Sequence, residues 1–415
     1  MNINKERLWY RLNKLAAIGR NEFEGITRLS FTEEEKSAKL LVSKWMVDAG
    51  LKVREDAMGN LIGRLGGKNP ALPVVLIGSH IDSVFNGGIF DGPTGVLSGI
   101  EVLQTMKEKN FNPDGPVEVI AFTDEEGARF SSGMLGSLAV AGKLKEEELH
   151  QYRDQNEISI AEAMEKMGYN PELIKNAKRD PATIKAYLEL HIEQGRVLEN
   201  ENLPVGVVEG IVGLYWLKVT LKGIASHAGS TPMNLRKDPL AAAASIMSFG
   251  EQLAKQERNL VITVGQMNVS PGGINIIPGA VELTFDIRDI QQKRLDRSIE
   301  SLTTYISDVC NERKIEYEIE VLDRLSPAVC SDKIIEIISD SVKECNITPY
   351  KLPSGAAHDA MVMAQITDMA MIFVRSKEGI SHNPKEWSEE ADIALGAEVL
   401  YRTVLKLIKQ KVVRN

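Results

Sequence analysis

The sequence predicts a two-domain α/β protein, and three observations lead there. The chain has 415 residues, beyond the length at which a single hydrophobic core usually suffices. Four short, mostly apolar runs each lead into polar residues able to bind metal. Between the third and fourth runs lies a stretch with a different order of elements, strand-helix-strand-strand-helix-strand.

Taken in order, residues 5–18 and 32–49 read as amphipathic helices. Thr32 is placed to cap the second, with Glu33 to Glu35 in its first turn and Gly50 just past its end. Val74 to Ile77 is a continuous apolar run, the pattern of a strand buried on both faces, and it leads into Gly78-Ser79-His80-Ile81-Asp82. The run Val117 to Phe122 leads into Thr123-Asp124-Glu125-Glu126-Gly127, and Ile184 to Leu190 leads into His191. The fourth, Met369 to Val374, runs on to the Ser381-His382 turn. The carboxyl edge of an open α/β sheet is where ligands bind, so four strands delivering such residues to one edge point to a site.

Residues 212–325 read as strands at Leu214–Leu221, Leu260–Met267, Val281–Arg288 and Ile315–Val321, with helices from Pro239 to Gln256 and Gln291 to Asn311. That is the order of a ferredoxin-like module. Its insertion gives an expected catalytic domain in two parts, 1–211 and 329–415, with residues 212–328 as a lid.

Composition excludes several classes. A net charge of −9 argues against a broadly basic nucleic-acid surface. No apolar run approaches the roughly 20 residues of a membrane span, and the polar N-terminus shows no signal-peptide pattern. Cys310, Cys330 and Cys345 are scattered and unpaired in sequence, which fits a cytoplasmic protein better than a disulfide framework.

The chain has six histidines, at positions 80, 150, 191, 227, 358 and 382. All but His150, which reads as a surface residue, lie beside glycine, acidic or small polar residues at strand ends or turns. Imidazole with carboxylate suits zinc, manganese, cobalt or nickel, and no thiolate is nearby to make a cysteine-based site. In His80-Ile81-Asp82, Asp82 is placed to hold the second nitrogen of His80. Asp91 sits in a glycine-rich loop that lets backbone approach a metal, although an aspartate there can also simply cap a helix beginning near Pro93. In Asp124-Glu125-Glu126, neighbouring carboxylates repel unless a cation or proton separates them. One can ligate metal while its neighbour accepts a proton; the bland alternative is an acidic surface turn.

Eight segments in order resemble the zinc aminoacylase and carboxypeptidase superfamily, within it the hydantoinase/carbamoylase amidase branch. They are Gly-Ser-His-Ile-Asp-Ser (78–83), Asn-Gly-Gly-Ile-Phe-Asp-Gly (86–92), Thr-Asp-Glu-Glu-Gly-Ala-Arg-Phe (123–130) and Glu-Leu-His-Ile-Glu-Gln-Gly (189–195). Ser-His-Ala-Gly-Ser-Thr-Pro-Met (226–233), Gly-Gly-Ile-Asn-Ile-Ile-Pro (272–278), Ser-Gly-Ala-Ala-His-Asp-Ala (354–360) and Gly-Ile-Ser-His-Asn-Pro (379–384) complete the set. The resemblance implies a zinc-peptidase-like mixed sheet flanked by helices, with the inserted α+β domain serving as lid and dimerisation domain. It implies two divalent metal ions per subunit, bridged by Asp91, with His80 and His191 on one and Glu126 and His382 on the other. Glu125 would be the general base. His227 would reach from the lid of a homodimer into the partner's site to stabilise the oxyanion. Arg288 and Asn275 would hold a substrate carboxylate, and Gln194, Gly355 and Ala356 would line the pocket. Asp82, His358 and Asp359 would support the ligands from behind.

Many peptidases of the superfamily carry a carboxylate where His191 stands, whereas the amidase branch carries histidine. Ala357 follows Ala356 where allantoate enzymes usually have glycine, which favours hydrolysis of N-carbamoyl-L-amino acids. Allantoate or 3-ureidopropionate hydrolysis is the alternative. A dipeptidase or aminoacylase fits less well because it predicts a carboxylate where His191 stands, and an inactive scaffold fits less well because every ligand and Glu125 are present.

Overall fold

The structure is a computed structural model and describes residues 1–409. The chain divides into two compact units, one made of Met1–Glu209 with the segment from Cys330 onward, the other of Gly210–Val329.

The first unit is built on a mixed sheet. Its strands run in the order Lys52–Glu55, Leu61–Leu65, Val117–Phe122, Val74–His80, Ile184–Ile192, Met369–Val374, Val205–Ile211. The four central strands are mutually parallel, and they are the four apolar runs of the sequence. Their neighbours on both sides are antiparallel. Every residue of Val74–His80, Val117–Phe122 and Met369–Val374 is buried. A parallel strand covered on both faces has no solvent side to mark with polar residues, which explains why these runs lack alternation.

Helix Pro93–Glu108 packs on the strands Val74–His80 and Ile184–Ile192, and Glu390–Lys409 packs on Asp332–Lys343 and on Met369–Val374. Helix Glu33–Asp48 starts as expected, with Thr32 accepting the Glu35 amide. Between Phe122 and Ile184 the chain forms three short helices, Leu135–Ala141, Glu146–Gln151 and Ile160–Lys166. They close a satellite core of Leu135, Leu149, Ile160 and Met164 with Phe31 and Phe130.

The second unit has strands Gly213–Lys222, Val261–Ser270, Ala280–Asp289 and Glu316–Leu325, with helices Pro239–Lys255 and Gln292–Arg313. The strand order is Glu316–Leu325, Gly213–Lys222, Ala280–Asp289, Val261–Ser270, antiparallel throughout. Tyr215, Leu217, Val219 and Leu221 alternate inward against Ala242, Ile246, Leu302 and Ile306 of the two helices. This is the β-α-β-β-α-β order read from the sequence.

Candidate metal centre

The central strands bring their carboxyl ends to one edge of the first unit's sheet. His80 ends its strand in register with Phe122, and His191 lies one residue from its strand's end, opposite Phe373. Asp91 precedes helix Pro93–Glu108, whose cap, Gly92, has φ +79°. A Cβ at Gly92 would overlap the His80 ring, so only glycine lets this turn pass the histidine. The Asp91 loop is held from outside: Glu386 Oε1 accepts the amides of Phe90 at 2.9 Å and Asp91 at 3.1 Å.

The loop bearing Glu125 and Glu126 is clamped along its backbone. The amides of Gly136, Leu135 and Met134 donate to the carbonyls of Thr123, Asp124 and Glu125. Asp82 serves two neighbours, with its Oδ1 3.6 Å from His80 Nδ1. Its carboxylate accepts the amides of Glu125 at 3.3 Å and Glu126 at 3.2 Å, while Nδ1 of His80 faces the Asp82 carbonyl oxygen at 3.3 Å. Both the carbonyl and the carboxylate of Asp82 therefore face the ring, while the same carboxylate holds the glutamate loop through its amides.

The result is a pair of donor groups sharing one carboxylate. Asp91 Oδ1 lies 3.5 Å from His80 Nε2 and 3.2 Å from His191 Nε2. Asp91 Oδ2 lies 3.4 Å from His382 Nε2, which is itself 3.4 Å from Glu126 Oε2. Each set, His80–Asp91–His191 and Asp91–Glu126–His382, has its ligand atoms close enough to hold one ion. Two ligands at about 2.0–2.1 Å from a tetrahedral zinc lie about 3.4 Å apart, so these spacings suit co-ligands better than hydrogen bonds. His191 Nε2 is buried and makes no hydrogen bond, as expected of an atom facing a cation.

The charges agree. Burial raises the Glu126 carboxyl, and the Asp91 carboxylate raises it further, to about 7. Burial likewise lifts Glu125 well above the usual range, with Asp359 and Glu126 adding and His80 opposing. The Asp91 carboxylate raises His382 to about 9, against burial and with help from Glu126. Burial alone would lower His80, but Glu125, Asp91, Asp82 and Glu126 hold it well above its ordinary value. A site this rich in carboxylate is short of positive charge, which divalent ions would supply.

A third group, Glu189 with His191 and His358, is also compact, but its atoms are engaged. Glu189 accepts from Ser79, Tyr187 and the Ala360 amide, and His358 Nε2 pairs with Ser354 Oγ at 2.9 Å. His358 packs against His191 with ring centroids 4.4 Å apart and the ring planes tilted by 59°. Burial, then His191, keeps it well below the ordinary histidine range, so it lies against His191 as a neutral ring. Asp359 is buried at the start of helix Asp359–Met363.

Gln194, at φ +58°, donates from Nε2 to Asp91 Oδ2 at 2.6 Å. Its buried Oε1 has no hydrogen-bond partner. A cavity of about 210 Å³ opens on these groups, with Ala356 and Met134 in its lining. Gly355 precedes Ala356 in the same loop. His227, Asn275 and Arg288 belong to the second unit. Exposed His227 faces Ile276 across a two-residue ladder, and its Nδ1 accepts the amides of Gly229 and Ser230. The Asn275 carbonyl accepts the Ala228 amide. Arg288 forks onto Asp286 through two bonds of 2.8 Å. His150 is exposed.

Two supporting residues escaped the sequence reading. Glu386 anchors the Asp91 loop, and Ser381 Oγ lies 2.8 Å from both Glu386 Oε2 and Asp91 Oδ2. Burial, then the nearby Asp91 carboxylate, pushes Glu386 up to about 7. The only available signal was that Glu386 follows His382 by four residues.

The profile of peptidase family M20/M25/M40 matches residues 76–406. The chain belongs to that family. It is 52% identical over 405 residues to an N-carbamoyl-L-amino acid amidohydrolase of Geobacillus stearothermophilus, covering 98% of this chain and 99% of that one. An allantoate amidohydrolase of Bacillus subtilis is 34% identical, with 95% of each chain covered. The crystal structure of a hydantoinase/carbamoylase family amidase from Burkholderia multivorans superposes with a TM-score of 0.90 at 32% identity, covering 99% of both chains.

Proposed function

We propose that this family member hydrolyses N-carbamoyl-L-amino acids to the L-amino acid, ammonia and carbon dioxide, using two divalent ions per chain. The observation that carries the proposal is the pair of donor groups sharing Asp91, with Glu125 beside them. The identity to the Geobacillus amidohydrolase supports the choice of substrate.

His80, His191 and Asp91 would hold one ion, and Asp91, Glu126 and His382 the other. Such ions make a water nucleophilic near neutral pH and polarise a carbonyl; zinc, manganese, cobalt and nickel all suit these donors. Glu125 Oε2 lies 3.7 Å from His80 Nε2 and takes the attacking water's proton, then gives it to the leaving nitrogen. The clamped backbone fixes this carboxylate without committing its oxygens. Gln194 Oε1, a buried acceptor without a partner, suits the carbamoyl NH2.

In His227, Nδ1 accepts two backbone amides, which places the proton on Nε2 and makes it a donor. That tautomer suits an oxyanion, and we assign it to the site of a second subunit in a homodimer. Residues 212–328 act in this reading as lid and dimer contact, with Arg288 and Asn275 meeting the substrate carboxylate. No described helix is long and apolar enough to cross a membrane. The three cysteines are free thiols, in keeping with the cytoplasm.

The test is ammonia release by the metal-reconstituted enzyme from N-carbamoyl-L-methionine, N-carbamoyl-D-methionine, allantoate and 3-ureidopropionate. Preference for the L-carbamoyl compound is expected. Preference for allantoate would overturn the substrate, and silence on all four would overturn the reaction.

A further inference from the structure

The cavity over the metal centre has a mixed lining. Most of it is donor groups, with Asp91, Glu126, His191 and His382 among them; Met134, Ala356 and Ala357 supply its apolar part. No lysine or arginine lines it among the described residues.

The apolar residues leave few polar side-chain atoms on their part of the lining. Met134 has spent both of its backbone groups: its amide donates to Glu125, and its carbonyl accepts the Leu138 amide at 2.9 Å and the Ser137 hydroxyl at 3.1 Å. Both backbone groups of Ala356 are engaged by Ser354 Oγ. What Met134 and Ala356 present to a ligand is therefore hydrocarbon and thioether, and Ala357 adds a methyl group. Met134 is also fixed in place. It has φ +60°, a conformation that costs a non-glycine residue energy, and it persists because the amides of residues 134–136 pair with the Glu125 loop.

Resting on the carbamoyl-hydrolase reading above, we propose that the apolar part of the lining, Met134, Ala356 and Ala357, receives the substrate's side chain, with Met134 the specificity-determining residue. The donor groups suit the carbamoyl group, and the carboxylate finds no cation here. Of the substrate's three parts, the Cα substituent is the one that an apolar lining can hold. The enzyme then takes N-carbamoyl-L-amino acids with unbranched or medium apolar side chains. It discriminates against compounds that put a second ureido group in the same place, because that group's donors and acceptor would be buried without partners.

Met134 is tied to the loop of the catalytic base, so its test needs a readout that a structural role would not move. The kcat/KM ratio for N-carbamoyl-L-phenylalanine over N-carbamoyl-L-alanine is measured for the metal-loaded parent, Met134→Ala and Met134→Leu. Removing the thioether widens this part of the cavity, and Met134→Ala is expected to raise the ratio by about tenfold or more, the scale of pocket methylenes in such discrimination. Met134→Leu, which keeps the volume, is expected to restore a ratio close to the parent's. Calorimetric binding of the products L-phenylalanine and L-alanine should shift the same way. An equal loss on both substrates would overturn the proposal and leave Met134 as a prop for Glu125. A parent enzyme inactive on every ureido compound would overturn the reaction itself, an outcome distinct from an active parent whose ratio ignores Met134.

Discussion

Truncating Glu386 should loosen the shared ligand without touching it. Glu386 is 3% exposed and accepts two backbone amides, from Phe90 and Asp91, as well as facing the Ser381 hydroxyl. Glu386→Ala strands those two buried donors, each costing about 1–3 kcal/mol. Relaxation of the glycine-rich loop puts the sum near the lower end, about 3 kcal/mol. It also frees the Asp91 backbone to rotate, and loss of an outer partner typically lowers metal affinity about 10- to 100-fold. Competition of the protein with a chromophoric chelator for Zn²⁺, alongside thermal unfolding with and without metal, reads both effects. Weaker binding and a smaller rise in melting temperature on metal addition are expected. Affinity within about twofold of the parent, well short of that range, would refute the reasoning, because Asp91 would then be held without Glu386.

Glu125→Gln should retain metal and lose about 10²- to 10⁴-fold in kcat, the usual weight of a positioned base; steady-state kinetics with metal analysis decides, and retained turnover would remove the role. Mixed dimers of His227→Ala with Glu125→Gln chains should recover part of the activity, because one of the two sites keeps both groups; heterodimers with none would place His227 elsewhere. Glu118 is buried between Arg64 and Arg179, each 2.6 Å away. Burial raises its carboxyl, but the two guanidinium groups outweigh burial and leave it lowered. A lowered folded-state carboxyl stabilises above its unfolded value of about 4.3 and loses that contribution as pH falls through the folded value. Urea unfolding should therefore show Glu118→Gln destabilised by about 3 kcal/mol at pH 7, with the gap closing towards pH 3; a gap independent of pH would contradict this.

What the sequence made legible follows from burial. Strands covered on both faces, such as Val117–Phe122 and Met369–Val374, stand out because nothing polar interrupts them for long. The edge strand Lys52–Glu55 and its neighbour Leu61–Leu65 were not read, since the first is mostly exposed and both are short. The three short helices between Leu135 and Lys166 were missed as well; they are fixed by a local satellite core rather than by a long periodic face. At the site, residues at strand ends and in glycine loops could be found because their chemistry and position coincide. Glu386 and the hold of Asp82 on the glutamate loop could not. Both depend on how loops distant in sequence close on one another, with Glu386 almost 300 residues from the amides it holds.

The most direct test of the account is the metal-to-protein ratio at which activity saturates. Metal-free protein is titrated with Zn²⁺ or Mn²⁺ while ammonia release from N-carbamoyl-L-methionine is followed, for the parent and for Asp91→Asn. A carboxylate shared by both donor groups requires two equivalents per chain for full activity, and Asp91→Asn should weaken both binding events. Saturation at one equivalent, or an Asp91→Asn protein that still binds one ion as tightly as the parent, would contradict it.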